Sequence, residues 1–138
     1  MNVKGLDHIV FIVKSLEQAG AAWEAALGIA VEQRLEPEGL GVLGLTPVGE
    51  PDAGSAFIEL AQPAGSEGRV AELLAERGEG MLSISIEVDD IDAAVAELKS
   101  KGIDVAAAVA GPLPETRIAR IPADAAHGVP VQLIERAS

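Results

Sequence analysis

The stretch Gly78–Val105, GEGMLSISIEVDDIDAAVAELKSKGIDV, reads in order as a strand, an acidic turn, an amphipathic helix, a glycine stop and a second strand. Leu82, Ile84, Ile86 and Val88 alternate with Ser83, Ser85 and Glu87, so the strand has one apolar and one polar face. The apolar face is the one a helix can cover. Asp90 has the short acceptor side chain of an N-cap, and Ile91, Ala94, Val95 and Leu98 fall on one helical stripe. Lys99 and Lys101 suit the negative end of the helix dipole, and Gly102 suits a left-handed stop. The polar face bearing Ser83 and Ser85 is left to do something else.

A second copy of this grammar opens the chain, from Leu6 to Val31. An offset of 75 carries His8 onto Ser83, Val10 onto Ser85, Val13 onto Val88 and Leu16 onto Ile91. Further along, Phe57-Ile58-Glu59-Leu60-Ala61 superposes on Pro130-Val131-Gln132-Leu133-Ile134 with an offset of 73, which places Glu59 over Gln132. A repeat of half the chain is too long for a solenoid and fits two related modules folded against each other. Each module then supplies polar residues from its first and last strands.

The expected plan is one domain, residues 1–138, built of two modules, about 1–62 and 80–138, joined by a linking helix at about 66–77 in which Val70, Leu73 and Leu74 are buried. In the first module a strand spans Leu6–Val13, with Ile9, Phe11 and Val13 toward the helix and His8, Val10 and Ile12 on the other face. Ser15 and Gln18 have capping-box spacing, and Leu16, Ala19, Trp23 and Ala26 or Leu27 make the buried stripe before Gly28. Strands follow at Ile29–Leu35, Gly41–Leu45 and Ser55–Ala61. The glycines at 39, 41 and 44 mark a bulge or a close approach to the backbone. In the second module, strands are expected at Leu82–Val88, Ile103–Ala107, Arg117–Ile121 and Val129–Ile134, and Pro112 and Pro114 make Ala110–Thr116 a loop.

Composition narrows the function. With 138 residues the chain is long enough to bury a core, and Trp23, Phe11 and Phe57 are its only aromatic side chains among Phe, Trp and Tyr, so that core is aliphatic. A net charge of −12 argues against a nucleic-acid groove or an anionic membrane surface. There is no cysteine, hence no disulfide framework and no thiolate chemistry. The apolar run near the N-terminus is short and is broken by Asp7 and His8, so neither a signal peptide nor a membrane span is read there. The expectation is a cytoplasmic protein with a small-molecule partner.

Several segments, taken in order, resemble a known family: Leu6-Asp7-His8-Ile9, Pro47-Val48-Gly49-Glu50, Phe57-Ile58-Glu59-Leu60, Glu76-Arg77-Gly78-Glu79-Gly80, Glu87-Val88-Asp89-Asp90-Ile91, Arg117-Ile118-Ala119 and His127-Gly128-Val129. Together they are similar to the vicinal oxygen chelate superfamily of glyoxalases, epimerases, extradiol dioxygenases and bleomycin-resistance proteins, nearest to the methylmalonyl-CoA epimerase and glyoxalase branch. The resemblance implies an α+β fold of two βαβββ modules whose mixed sheets curve around a shared cavity. It also implies a homodimer and a divalent metal ion held by four side chains, one from the first and one from the last strand of each module.

Matched position by position, His8 and Glu59 agree with the family's ligands. Ser83 stands where a histidine is usual, and Gln132 where a glutamate is usual. The implied metal ligands are therefore His8, Glu59 and Gln132, with Glu59 also the candidate catalytic base. Ser83, Ser85 and Arg117 are the implied substrate-binding residues. Arg117 and Arg120 point to opposite faces of their strand, and Arg117 is the one that matches. Glu135 is the alternative to Gln132 if the last strand slips; three residues apart, only one of them can face the cavity. Asp89 and Asp90 look like a metal pair, but at a strand-to-helix turn capping explains them better. Val42 occupies the strand on which some epimerases carry a glutamate, so no second acid–base residue is named.

The implied activity is metal-assisted proton transfer, or lyase or isomerase chemistry, next to a carbonyl such as that of an acyl-CoA ester. The alternative is a metal-free small-molecule binder of the bleomycin-resistance type, for which Ser83 and Ser85 form a hydroxyl-bearing pocket floor.

Overall fold

A computed structural model describes residues 1–49 and 56–137. The chain is mixed α+β. Its elements are β1 (Val3–Ile12), α1 (Leu16–Leu27), β2 (Gln33–Leu35), β3 (Val42–Pro47), β4 (Phe57–Gln62), α2 (Arg69–Arg77), β5 (Gly80–Val88), α3 (Ile91–Ser100), β6 (Val109–Ala110), β7 (Thr116–Ile121), a 3₁₀ turn (Ala123–Ala126) and β8 (Val131–Arg136). Glu50 of the family-like Pro47–Glu50 segment and the expected strand start at Ser55 lie outside the described residues.

Two compact units emerge: His8–Leu82, and Met1–Asp7 together with the chain from Ser83 onward. In the first unit the strand order is β2-β3-β4-β1. Neighbours are antiparallel except β4 with β1, which are parallel. In the second unit the order β5-β8-β7-β6 has the same pattern, with β5 and β8 parallel and the rest antiparallel. The repeat seen in the sequence is also present in the register. Ile9 pairs with Ile58 in one unit, and Ile84, its equivalent, pairs with Val131, the equivalent of Ile58, in the other.

The caps repeat as well. Ser15 Oγ accepts the Gln18 N–H at 3.2 Å at the start of α1, and Asp90 Oδ1 accepts the Ala93 N–H at 3.0 Å at the start of α3. A second acceptor reaches each helix from the last strand of its unit: Gln62 Oε1 takes the Leu16 N–H and Glu135 Oε2 takes the Ile91 N–H, both at 2.8 Å. Each closes a donor that the helix cannot satisfy internally. Glu135 is thus an anchor for α3, on the helix-bearing face of β8.

The α3 stripe covers the face it predicts, and α1 does so through Leu16, Ala19 and Trp23, whereas Ala26 and Leu27 in its last turn are exposed rather than buried. In the second unit Val88, Ile91, Ala94, Val95, Leu98, Ala119 and Leu133 form one buried cluster with Ile86 packed on it. In the first unit Val13, Leu16 and Leu60 are buried with Phe11, Trp23 and Ile58 around them, on the α1 side. Val70 of α2 packs instead on the opposite face, with Val10, Leu43, Ala61 and Leu82. Gly44 is explained by close packing: a methyl group there would sit 2.5 Å from Leu16 Cδ1.

One strand is not where the alternation placed it. The segment expected to pair at Ile103–Ala107 is unpaired, and β6 is only the two residues Val109–Ala110. The Ile103 N–H turns back to Leu98 O at 3.0 Å, and Val105, 1% exposed, joins the α3 cluster. Its apolar residues plug the core under the helix end instead of joining a ladder. The second strand is likewise shorter than expected, beginning at Gln33.

Thr46 of β3 is 1% exposed, and its hydroxyl has no hydrogen-bond partner among the described residues. Replacing it with valine keeps the shape and removes a buried polar atom, so Thr46→Val is expected to stabilise the protein by about 1 kcal/mol. Chemical denaturation measures this, and a destabilised variant would show that the hydroxyl is satisfied.

Candidate functional site

His8 lies on β1 and Glu59 on β4, both on the face turned away from α1. The parallel register sets His8 beside Phe57 and Val10 beside Glu59, so imidazole and carboxylate meet on a diagonal. Both are buried, at 2% and 5% exposure. His8 Nε2 and Glu59 Oε1 are 4.0 Å apart, too far for a hydrogen bond. The imidazole stacks on the Phe57 ring at 4.6 Å between centroids and 16° between planes, which fixes the plane in which its nitrogens point.

In the second unit the equivalent positions hold neutral groups. Ser85 and Gln132 are direct partners across β5 and β8, and Gln132 Nε2 donates to Ser85 Oγ at 3.0 Å. Ser85 is fully buried and Gln132 is half-buried. Ser83 is two residues earlier on the same face of β5, also half-buried. Both serines thus lie on the face opposite α3, as their alternation implied.

Arg117 is placed differently. Its neighbour across β7 and β8 is Glu135, whereas Arg120 is the partner of Gln132. The Arg117 guanidinium forms two 2.8 Å bonds to the two oxygens of Asp92, in the first turn of α3, with Glu135 Oε1 at 3.9 Å. The bonds to Arg117 hold the Asp92 carboxyl below its ordinary pKa and raise that of the guanidinium. The family-matching arginine is therefore bound to the helix, on the opposite face from Gln132.

A further pair was not singled out from the sequence. Asp7, 7% exposed, takes both Arg136 Nε at 2.7 Å and Arg136 Nη2 at 2.9 Å. Together with Lys4 and Glu87, 3.3 Å apart, it ties the first residues of β1 into the second unit. Nothing but opposite charge marks two residues so far apart in the chain.

The residues match a divalent ion in kind. His8 and Glu59 are an imidazole and a carboxylate, and donors about 4 Å apart can still touch one ion whose bonds are roughly 2.0–2.2 Å long. In the other unit, Gln132 carries a neutral amide oxygen of the kind a hard ion accepts. No group of three or more His, Cys, Asp or Glu that could hold a metal ion gathers among the described residues.

Repeated βαβββ topology is that of the vicinal oxygen chelate class. The chain belongs to the Glyoxalase/Bleomycin resistance protein/Dioxygenase superfamily, whose sequence profile matches residues 7–119. Among curated relatives, the mitochondrial methylmalonyl-CoA epimerase of Homo sapiens is 34% identical over 105 residues, covering 74% of this chain and 56% of that protein. The Bos taurus enzyme is 35% identical over 105 residues, covering 75% and 58%. The chain thus spans little more than half the length of these relatives. Among solved structures, a variant of the Streptomyces coelicolor methylmalonyl-CoA epimerase in complex with 2-nitronate-propionyl-CoA superposes with a TM-score of 0.87 at 25% identity, over 99% of this chain and 97% of that one. The Mycobacterium tuberculosis methylmalonyl-CoA epimerase gives 0.85 at 29% identity, over 99% and 90%. No helix among the described residues is long and apolar enough to cross a membrane.

Proposed function

We propose that this chain is an epimerase-type enzyme that moves a proton at the carbon next to the thioester carbonyl of an acyl-CoA, with His8, Glu59 and Gln132 as the residues that hold a divalent ion. The observation that carries the reading is the buried His8–Glu59 pair, 4.0 Å apart on the face of the strands opposite α1. Likeness to methylmalonyl-CoA epimerases supports the substrate class. When bound, such an ion supplies Lewis acidity toward a carbonyl oxygen.

Glu59 is the proton carrier. Its carboxylate takes the hydrogen from the substrate carbon as H⁺, the C–H pair moves toward the carbonyl, and return of a proton re-forms the bond. His8, its plane set by Phe57, holds the neighbouring ligand position. Gln132 and Ser85 present neutral hydrogen-bonding groups, and Arg117, bound by Asp92, stays outside the binding set.

Protein purified without chelator or affinity tag is expected to carry a divalent metal, and His8→Ala to lose it. Elemental analysis of both decides the point. A second reading has a specific observation behind it: the Ser85–Gln132 pair is uncharged and Ser83 is no imidazole, which suits a metal-free binder of neutral ligands. Metal-free wild-type protein that takes up small carbonyl compounds without turning them over would favour that binder and sink the enzyme.

A further inference from the structure

We infer that Ser85 is a positioning residue for Gln132: its hydroxyl captures one amide N–H and so determines that the carbonyl oxygen is the atom position 132 presents to a ligand. The inference rests on reading position 132 as ligand-facing, and it adds a residue to which no role toward an ion has been given.

The argument comes from comparing the two copies of the repeat. At the equivalent cross-strand pair, one unit has Val10 beside Glu59 and the other has Ser85 beside Gln132. A carboxylate has two equivalent oxygens, so either presents the same acceptor and its neighbour need only be apolar. An amide has an acceptor end and a donor end, and the last torsion of Gln is broad and roughly two-fold. Something must choose between the ends.

Ser85 Oγ does so, at 3.0 Å from Gln132 Nε2. A valine would satisfy a strand position of 0% exposure, as Val10 does at 6% in the other copy. A hydroxyl in that place costs about 1–3 kcal/mol unless it is bonded. The replacement of glutamate by glutamine and of valine by serine thus makes one change: a neutral ligand group together with the residue that orients it, in the way outer-shell partners fix metal ligands.

The test uses the full ¹⁵N-labelled chain. Gln132→Ala assigns the Gln132 side-chain amide signals. In the wild type one of these protons should exchange with solvent at least about tenfold more slowly than those of exposed glutamines, by virtue of the buried bond. Ser85→Ala should abolish that protection, and Ser85→Cys, with a weak acceptor of similar volume, should restore part of it. Backbone amide spectra of the same samples report whether each variant keeps the fold.

Manganese(II) titration of metal-stripped protein gives the second readout. Ser85→Ala should weaken binding by about tenfold, as Gln132→Ala should, and the double variant should weaken it no further. Equal exchange in wild type and Ser85→Ala overturns the inference, as does undiminished manganese binding in Ser85→Ala. The proposed metal function fails on a different result, manganese binding that survives His8→Ala or is missing from the wild type, and in either case the amide exchange still decides the role of Ser85.

Discussion

Glu59→Gln is expected to slow hydrogen exchange at the carbon next to the thioester carbonyl by about a thousandfold, within the range a positioned general base supplies. In deuterated buffer, wild-type protein given methylmalonyl-CoA should incorporate solvent deuterium at that carbon, and the variant should do so about a thousandfold more slowly. Glutamine is nearly isosteric with glutamate, so at a position 5% exposed it removes the charge and the basicity with little change of packing. Metal content measured on the same variant separates loss of the base from loss of a ligand. Exchange within threefold of the wild type, metal retained, would remove Glu59 from the chemistry.

What could be read from the chain was what repeats. The offsets of 75 and 73 predicted equivalent strands, and the observed registers Ile9 with Ile58 and Ile84 with Val131 agree with them. Ser15 and Asp90 were recognisable as caps because a cap acts on its own next three residues. The faces of β1, β4 and β5 followed from a period of two, which does not depend on what covers them.

What could not be read depends on partners distant in sequence. Gln62 and Glu135 are polar residues near strand ends, and nothing local distinguishes an anchor for a helix N-terminus from a ligand or a solvent-facing side chain. Glu135 was for that reason an open alternative to Gln132. The register of β8 now gives the two residues different work: Glu135 faces α3, and Gln132 bonds Ser85. Arg117 matched its family and still faces Asp92, because a guanidinium goes to the nearest carboxylate that can take it bidentately. The segment after Gly102 has the alternation of a strand because alternation reports burial. Pairing is a separate requirement, and Val105 is buried without it.

Gly41→Ala is expected to cost about 3 kcal/mol and to lower the melting temperature by roughly 10 °C for a chain of this size. Two terms combine. Gly41 has φ +106°, a conformation that L side chains rarely adopt. An added methyl group would also collide with the backbone of the segment leaving β4, at 2.6 Å from Ala64 N and 2.8 Å from Pro63 C, and with the Gln62 carbonyl oxygen. Backbone atoms cannot turn aside as a side-chain end can. Gly39, at φ +79° with open space around it, isolates the first term, and Gly39→Ala should cost only about 1 kcal/mol. The difference between the two variants in urea unfolding is then the price of the collision. That collision bears on the functional strand, since Gln62 also holds the Leu16 N–H at the start of α1 and is three residues beyond Glu59. Equal costs at positions 39 and 41 would mean that the crossing over Gln62–Ala64 is loose, and that Glu59 is held by its strand pairing with β1 and β3 alone.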